Sequence, residues 1–118
     1  MNAKLVMGIK AVLTLAFAAA GGAKLAGAEM MVQMFDMVGV GQWFRYVTGA
    51  IELGSAILLW VPGFAAYAAG LLVCTMIGAF LAHMTVLSAM GMGAAVPAVV
   101  LGVLAALVLW ANRAQLSR

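Results

Sequence analysis

Residues 53–82 of the chain read LGSAILLWVPGFAAYAAGLLVCTMIGAFLA, and none of these side chains carries a charge. A second uncharged stretch, residues 84–112, follows directly after His83. A helix needs about 20 apolar residues to cross the hydrocarbon core of a bilayer, so each stretch can contain at least one span. Pro62-Gly63 divides the first stretch, because Pro-Gly pairs mark turns. The centre and the C-terminal part of the chain therefore predict membrane-spanning helices.

The composition of the whole chain points to the same class of protein. Of its 118 residues, 68% are hydrophobic and 8% are charged, whereas a soluble domain usually has about 25% charged residues. A small soluble domain leaves much of its area exposed to water and could not hide this apolar surface. The apolar runs are continuous and do not alternate with polar residues, which excludes a membrane barrel. We predict an all-α membrane protein with a single domain over residues 1–118.

The predicted fold is a bundle of four transmembrane helices with a short interfacial helix between the first and the second. The predicted spans are residues 5–26, 43–61, 64–87 and 97–112. Between the first two, Glu29, Gln33 and Asp36 repeat at helical spacing, with methionine and phenylalanine around them. This pattern predicts an amphipathic helix from Glu29 to Val38, lying in the membrane interface. The Gly-rich residues 88–95 are predicted to form a loop.

Four spans would place both termini on the same side of the membrane. The basic residues that flank this side are Lys4, Lys10, Arg113 and Arg118. The positive-inside rule makes that side cytoplasmic, so we expect a multi-pass protein of the bacterial inner membrane. The aromatic residues expected near this boundary are Trp60, Tyr67 and Trp110, with Trp43 and Tyr46 near the outer one.

Small residues recur four apart within the predicted spans, which is a spacing that lets helices pack closely. The pairs are Ala18 with Gly22, Ala50 with Gly54, and Ala66 with Gly70. The spacing is common in membrane helices and leaves open whether the chain forms a homo-oligomer.

Five polar residues are predicted to converge in the outer half of the bundle. Lys24 is at the outer end of the first span, Arg45 at the outer start of the second, and His83 near the outer end of the third. Glu52 follows Arg45 by seven residues on the same helical face, about 10 Å deeper, with Thr48 between them. A charge at mid-membrane costs from about 2.5 kcal/mol upward. Glu52 is therefore expected to be protonated, paired with Arg45 or Lys24, or in contact with water.

Two interpretations of these residues stay open. In the functional one, Glu52 and His83 move protons as catalytic groups, while Lys24, Arg45 and Thr48 bind a ligand. In the structural one, the two cations extend to lipid headgroups, or Arg45 and Glu52 form an ion pair that fixes helix packing.

Metal, disulfide and nucleic-acid chemistry receive little support from the sequence. Seven methionines map to the side of His83, namely Met30, Met31, Met34, Met37, Met84, Met90 and Met92. Thioethers and imidazole suit Cu(I), but methionine is more often a flexible filler of apolar cores and interfaces, so we predict no metal site. Cys74 is the only cysteine, which excludes a disulfide within the chain. The net charge of +3 is too small and scattered for a nucleic-acid partner.

The same polar residues carry a resemblance to a known family. Residues 45–54, RYVTGAIELG, resemble the R-x-x-x-G-x-x-E-x-x-G pattern of the DoxX/DoxD-like membrane family, with the second glycine one place early. Residues 76–83, MIGAFLAH, resemble its M-x-G-A-x-x-x-H run in the third span. Residues 22–25 match its small-small-Lys-Leu ending of the first span, and residues 35–41 resemble the F-x-x-x-G segment that follows. The resemblance covers the chain from about Gly21 to its end and implies a four-helix membrane bundle.

The resemblance implies less about the activity of the protein than about its fold. Some members resemble subunits of a thiosulfate:quinone oxidoreductase, and others are tied to membrane redox complexes, to maturation of periplasmic redox enzymes, or to assisting other membrane proteins. The positions that match the family's polar pattern are Lys24, Arg45, Glu52 and His83. By resemblance the chain is at most a subunit of a quinone-linked oxidoreductase, with quinone as the ligand.

Three functions follow from these observations as alternatives. The first is a quinone site whose electron donor is another subunit, because the sequence has no haem, flavin or iron–sulfur signature. The second is a non-catalytic subunit that binds or assembles partner proteins in the lipid bilayer. The third is a carrier of a small solute or metal, for which a homo-oligomer would have to supply the second half of the transport path.

Overall fold

A computed structural model describes residues 2–117 of the chain. The five α-helices in this range are α1 (Ala3–Ala26), α2 (Glu29–Val38), α3 (Gln42–Leu58), α4 (Ala65–Met84) and α5 (Val96–Ala111). Short 3₁₀ helices cover Ser88–Met90, Met92–Ala95 and Arg113–Ser117, and no strand occurs within residues 2–117. The prediction of an all-α protein is confirmed. Arg118, one of the basic residues expected to flank the cytoplasmic side, lies outside the described residues.

The ends of α1 and α2 follow from local chemistry. The side chain of Asn2 accepts a hydrogen bond from the Lys4 amide at 2.7 Å, which caps the start of α1. Gly27 and Gly39 adopt left-handed backbone conformations, with φ of 76° and 80°, and end α1 and α2. The observed bounds of α2 match the predicted ones. The predicted loop at residues 88–95 is instead two 3₁₀ turns separated by Gly91.

Three helices are long and apolar enough to cross a membrane. They are α1, α4, and α5 together with the 3₁₀ turn that precedes it, Met92–Ala111. The helix α3 is not among them, since it has 17 residues and carries Arg45 and Glu52. At 1.5 Å per residue α3 is about 25 Å long, somewhat less than the roughly 30 Å of hydrocarbon in a bilayer. The predicted count of four spans is therefore not confirmed.

The helices pack as two antiparallel pairs, with α3 against α1 and α5 against α4. Contacts between α3 and α4 and between α1 and α5 join the pairs around one apolar core, and α2 packs on α3. The largest fully buried side chains are those of Phe17, Leu13, Leu59, Leu72 and Val108.

The bundle has two ends that differ in their side chains. At the terminal end, where α1 begins and α5 finishes, Lys10 Nζ lies 4.6 Å from the centre of the Trp60 ring. At the same end the Gln115 side-chain oxygen accepts a hydrogen bond from the Ala66 amide at 2.9 Å. The opposite end, called the far end below, contains the end of α1, the start of α3 and the end of α4. The predicted polar residues lie toward this far end.

The helices α1 and α3 approach each other closely at Gly21 and Gly49. A Cβ atom added to Gly21 would lie 2.8 Å from the Gly49 carbonyl oxygen, and one added to Gly49 would lie 2.9 Å from Lys24 Cβ. Around the glycines of the three predicted pairs the space is open, since nothing lies within 4 Å of a Cβ added at Gly22, Gly54 or Gly70. Within the described chain the prediction of close packing is wrong at these three glycines, because none of them faces a neighbouring helix; on α1 it is the adjacent Gly21 that faces α3.

Candidate functional site

An ion pair between Lys24 and Glu52 joins α1 to α3. Lys24 lies in the last turn of α1, and its Nζ is 2.6 Å from Glu52 Oε1. Glu52 is 2% exposed and lies ten residues into α3. The ammonium of Lys24 is therefore turned into the bundle and does not extend toward lipid headgroups. The structure assigns Lys24, rather than Arg45, as the partner of the buried carboxylate.

Arg45 is buried one turn from the start of α3, and it contacts the end of α1. Its Nη1 donates a hydrogen bond to the Lys24 carbonyl oxygen, and its Nε donates to Gln42 Oε1 at 2.7 Å. The guanidinium also lies over the Tyr46 ring, 4.3 Å from the ring centre. The last carbonyl groups of a helix lack partners within the helix and form the negative end of its dipole. The Lys24 carbonyl also accepts a hydrogen bond from the Gly27 amide, so the Arg45 guanidinium adds a second donor to it and a positive charge at the negative end of α1.

The spacing of the R-x-x-x-G-x-x-E motif now has a physical reason. Arg45, Gly49 and Glu52 lie on one buried face of α3, at positions i, i+4 and i+7. All three contact the last two turns of α1, where Arg45 reaches a carbonyl, Gly49 permits close approach, and Glu52 pairs with Lys24. The motif therefore describes how α3 binds the end of α1.

Thr48 and His83 are placed differently from these three residues. Thr48 is partly exposed, and its hydroxyl donates to the Phe44 carbonyl within α3 at 2.9 Å. His83 is 8% exposed in the last turn of α4, and its Nδ1 is buried without a hydrogen-bond partner among residues 2–117. No hydrogen bond or ion pair of the described chain joins His83 to Lys24, Arg45 or Glu52. The structure therefore brings three of the five predicted residues together and places His83 at the same end of the bundle, on α4.

Ser55 is a buried polar residue that was not predicted as a site residue. It is 2% exposed, and its hydroxyl oxygen has no partner within residues 2–117. Ser55 follows Glu52 by three residues and so lies on the same face of α3. This helical spacing is the signal in the sequence that could have identified it.

The charges of the α1–α3 cluster do not cancel. It contains two cations, Lys24 and Arg45, and one anion, Glu52. Two of the three guanidinium nitrogens of Arg45 donate within the protein, while Nη2 has no partner among residues 2–117.

The His, Cys, Asp and Glu side chains of the described residues do not cluster. Within residues 2–117, no group of three or more His, Cys, Asp and Glu side chains could hold a metal ion. Met30 and Met92 are 67% and 72% exposed, and Cys74 is exposed on α4.

Two grooves on the described surface lie away from the predicted site residues. One, of about 310 Å³, is an apolar groove between α4 and α5 that includes Met76, Phe80 and Gly102. The other, of about 260 Å³, lies at the terminal end between α1 and the end of α5. Neither is lined by Lys24, Arg45, Thr48, Glu52 or His83.

Comparison with known proteins identifies the family. A model of the DoxX-like family matches residues 8–108, which is most of the chain and includes every predicted site residue. No curated protein and no solved structure matches the chain. Together with the three apolar helices that could cross a bilayer, the match gives the class of the molecule. This chain is a small membrane protein that belongs to the DoxX-like family.

Proposed function

We propose that the protein is a membrane subunit linked to redox chemistry, in which polar residues of the far end hold the headgroup of a quinone. The observation that carries this proposal is the buried Nδ1 of His83, which has no partner among residues 2–117. Buried polar atoms are rarely left unpaired, so such an atom indicates a place for a ligand atom or a bound water. At the same end, the Lys24–Arg45–Glu52 cluster has one cation more than it has anions.

The proposal includes α3 as the fourth span. The α1–α3 contacts join the end of α1 to the start of α3, while Trp60, just after α3, lies against Lys10 near the start of α1. The helix α3 therefore crosses most of the same distance as α1, and a short span is accommodated by local thinning of the bilayer. With four spans both termini lie on one side, which the positive-inside rule makes cytoplasmic, in a bacterial inner membrane.

Each residue has a defined part in the proposed site. Arg45 Nη2 and the His83 imidazole supply hydrogen bonds to the headgroup oxygens. Thr48, on the same helix as Arg45, is the third ligand-binding residue of the proposed site. Lys24 holds the Glu52 carboxylate in place, and Glu52 and His83 take up and release protons. A quinone would accept two electrons and two protons there. The electrons come from another subunit, because the sequence has no signature of a haem, flavin or iron–sulfur centre.

Binding of a quinone analogue to the purified full chain tests the proposal. We expect decylubiquinone or menadione to bind in detergent, and His83→Leu to weaken binding about tenfold, equal to about 1.4 kcal/mol for a lost hydrogen bond. The matched control is Thr85→Val, which removes an exposed hydroxyl two residues away, just after α4, that bonds only to carbonyls of that helix. No binding by the unchanged protein, or unchanged binding by His83→Leu, would contradict the proposal.

A second function, a non-catalytic subunit that binds or assembles partner proteins, is favoured by the closed Lys24–Glu52 pair. Both groups are already partnered, as expected if their part is to fix α1 against α3. Absence of quinone binding by the unchanged protein favours this second function. If the unchanged protein does bind, the double variant Lys24→Met/Glu52→Met shows which part the pair plays. If it folds and binds the quinone analogue with unchanged affinity, the pair is structural. If it folds but no longer binds the analogue, the pair belongs to the ligand site.

A further inference from the structure

A pocket of about 260 Å³ opens at the terminal end of the bundle, between the first turns of α1 and the end of α5. Its apolar part is formed by Ala3, Val6, Met7 and Ala111, and its polar part by Lys10 and Asn112. The pocket is separate from the far-end cluster, because it lies where α1 begins and α5 finishes. An apolar floor beside an ammonium and an amide suits a molecule with an anionic head and a hydrocarbon body.

Among residues 2–117, the charged side chains around this pocket are all cations. The cations at this end are Lys4, Lys10 and Arg113, and all three lie within a few residues of the pocket or line it. The acidic side chains of residues 2–117 are elsewhere: Glu29 and Asp36 are on α2, and Glu52 is paired with Lys24. An anion that reaches the terminal end therefore meets cations without a competing carboxylate among the described residues.

The Lys10 side chain contacts a neighbouring side chain, and the Asn112 side chain contacts a backbone carbonyl. Lys10 Nζ lies over the Trp60 ring, and Trp60 Nε1 donates to Thr14 Oγ1 at 2.7 Å, which fixes the ring against α1. Asn112 Nδ2 donates one hydrogen to the Val108 carbonyl at 2.9 Å. The second hydrogen of that amide is left to donate to a ligand. Lys10 and Asn112 therefore line one pocket, and the side chain of each is held by a neighbouring residue.

The position of the pocket at the ends of apolar helices favours a lipid headgroup as the source of the anion. Its walls belong to two helices that could cross the bilayer, at the ends where these helices leave the apolar layer. Trp60 lies next to Lys10, and Trp110 precedes Ala111, with the Arg113 guanidinium 3.9 Å from its ring centre. Tryptophan beside basic residues is typical of the headgroup level of a membrane. We infer that the pocket binds the phosphate of an anionic phospholipid, with Lys10 and Asn112 as its partners and the apolar floor under its first acyl carbons.

The test is a comparison of two lipids with identical acyl chains, phosphatidylglycerol and phosphatidylcholine, bound to the full chain in detergent and counted by native mass spectrometry. We expect phosphatidylglycerol to be retained in preference. Lys10→Met should weaken that binding about fivefold, the equivalent of about 1 kcal/mol for one lysine near an anionic surface. Asn112→Asp should weaken it further by placing a carboxylate in the pocket, and Lys10→Arg should restore most of the affinity of the lysine.

The control variant is Lys4→Met, which removes an exposed cation of the same helix that does not line the pocket. An equal loss in Lys4→Met and Lys10→Met would mean diffuse surface charge and would overturn the inference. Equal retention of the two lipids would also overturn it. Full displacement of the lipid by inorganic phosphate would identify a site for free anions instead. The Lys10→Arg variant distinguishes a lost contact from a misfolded protein, and none of these outcomes depends on quinone binding at the far end.

Discussion

The two antiparallel helix pairs of this bundle are held together by different chemistry. Between α1 and α3, a buried ion pair, an arginine on a helix end and two facing glycines fix one relative position of the helices. Between α4 and α5, the contacts are apolar, and an open groove of about 310 Å³ remains between the two helices. In a bilayer the lipid is as apolar as the side chains, so apolar contacts alone specify a helix pair weakly. The polar contacts between α1 and α3 therefore specify one arrangement of these helices, whereas α4 and α5 contribute mainly apolar packing.

The ion pair gives the sharpest test of this difference. Lys24→Met leaves the buried carboxylate of Glu52 without its partner, and we expect it to lower the free energy of unfolding by about 3–5 kcal/mol. The double variant Lys24→Met/Glu52→Met removes both charges and should lie within about 1 kcal/mol of the unchanged protein, since apolar groups replace a buried pair at little cost. The free energy of unfolding is measured by SDS titration of the purified chain in detergent.

The matched control for this prediction is Glu29→Gln, which neutralises an exposed acid of α2. It should change stability by less than about 0.5 kcal/mol, as most surface substitutions do. If Lys24→Met is as mild as Glu29→Gln, the ion pair does not hold α1 against α3, and the comparison between the two helix pairs fails.

The glycine contact predicts a smaller effect at the same interface. A Cβ at Gly21 would come within 2.8 Å of the Gly49 carbonyl oxygen and 2.9 Å of the Leu53 amide nitrogen, both backbone atoms that cannot turn aside. We expect Gly21→Ala to lower the free energy of unfolding by about 2 kcal/mol, within the usual range for overpacking. The adjacent Gly22→Ala meets open space and should stabilise α1 by about 0.5–1 kcal/mol, as alanine does in a helix. Equal effects at the two positions would show that α1 and α3 do not cross there.

Much of this architecture was predictable because it depends on local composition. The apolar stretches and the glycines that end them predict the helices, and the bounds of α2 are matched at both ends. The position of a polar residue within an apolar span can also be read directly from the sequence. The sequence alone therefore identifies Arg45, Glu52 and His83, which are buried, as candidate site residues.

The sequence leaves the partner of Glu52 open between Arg45 and Lys24, because the choice depends on how the helices cross. Arg45 and Glu52 share a face of α3 but are seven residues apart, about 10 Å along the axis, which is too far for a direct pair. Lys24 is distant in sequence and reaches Glu52 only because α1 runs antiparallel to α3 at close range. Similarly, whether Gly21 or Gly22 contacts α3 depends on the rotation of α1 about its own axis, which the sequence does not specify. Composition specifies the helices, whereas their rotation and crossing specify the site.

The smallest predicted effect belongs to the α4–α5 pair and completes the comparison. Gly102 of α5 is the counterpart of Gly21, since a Cβ added there would lie 3.3 Å from Met76 Cβ. That distance is tight, but the neighbour is a side-chain atom beside an open groove, and a shift of a few tenths of an ångström relieves it. We expect Gly102→Ala to change the free energy of unfolding by less than about 1 kcal/mol in either direction, because crowding is offset by the helix propensity of alanine. A loss as large as that of Gly21→Ala, measured by the same SDS titration, would mean that α4 and α5 are held as specifically as α1 and α3. The specificity of the fold would then be shared between the two pairs rather than concentrated where the charges lie.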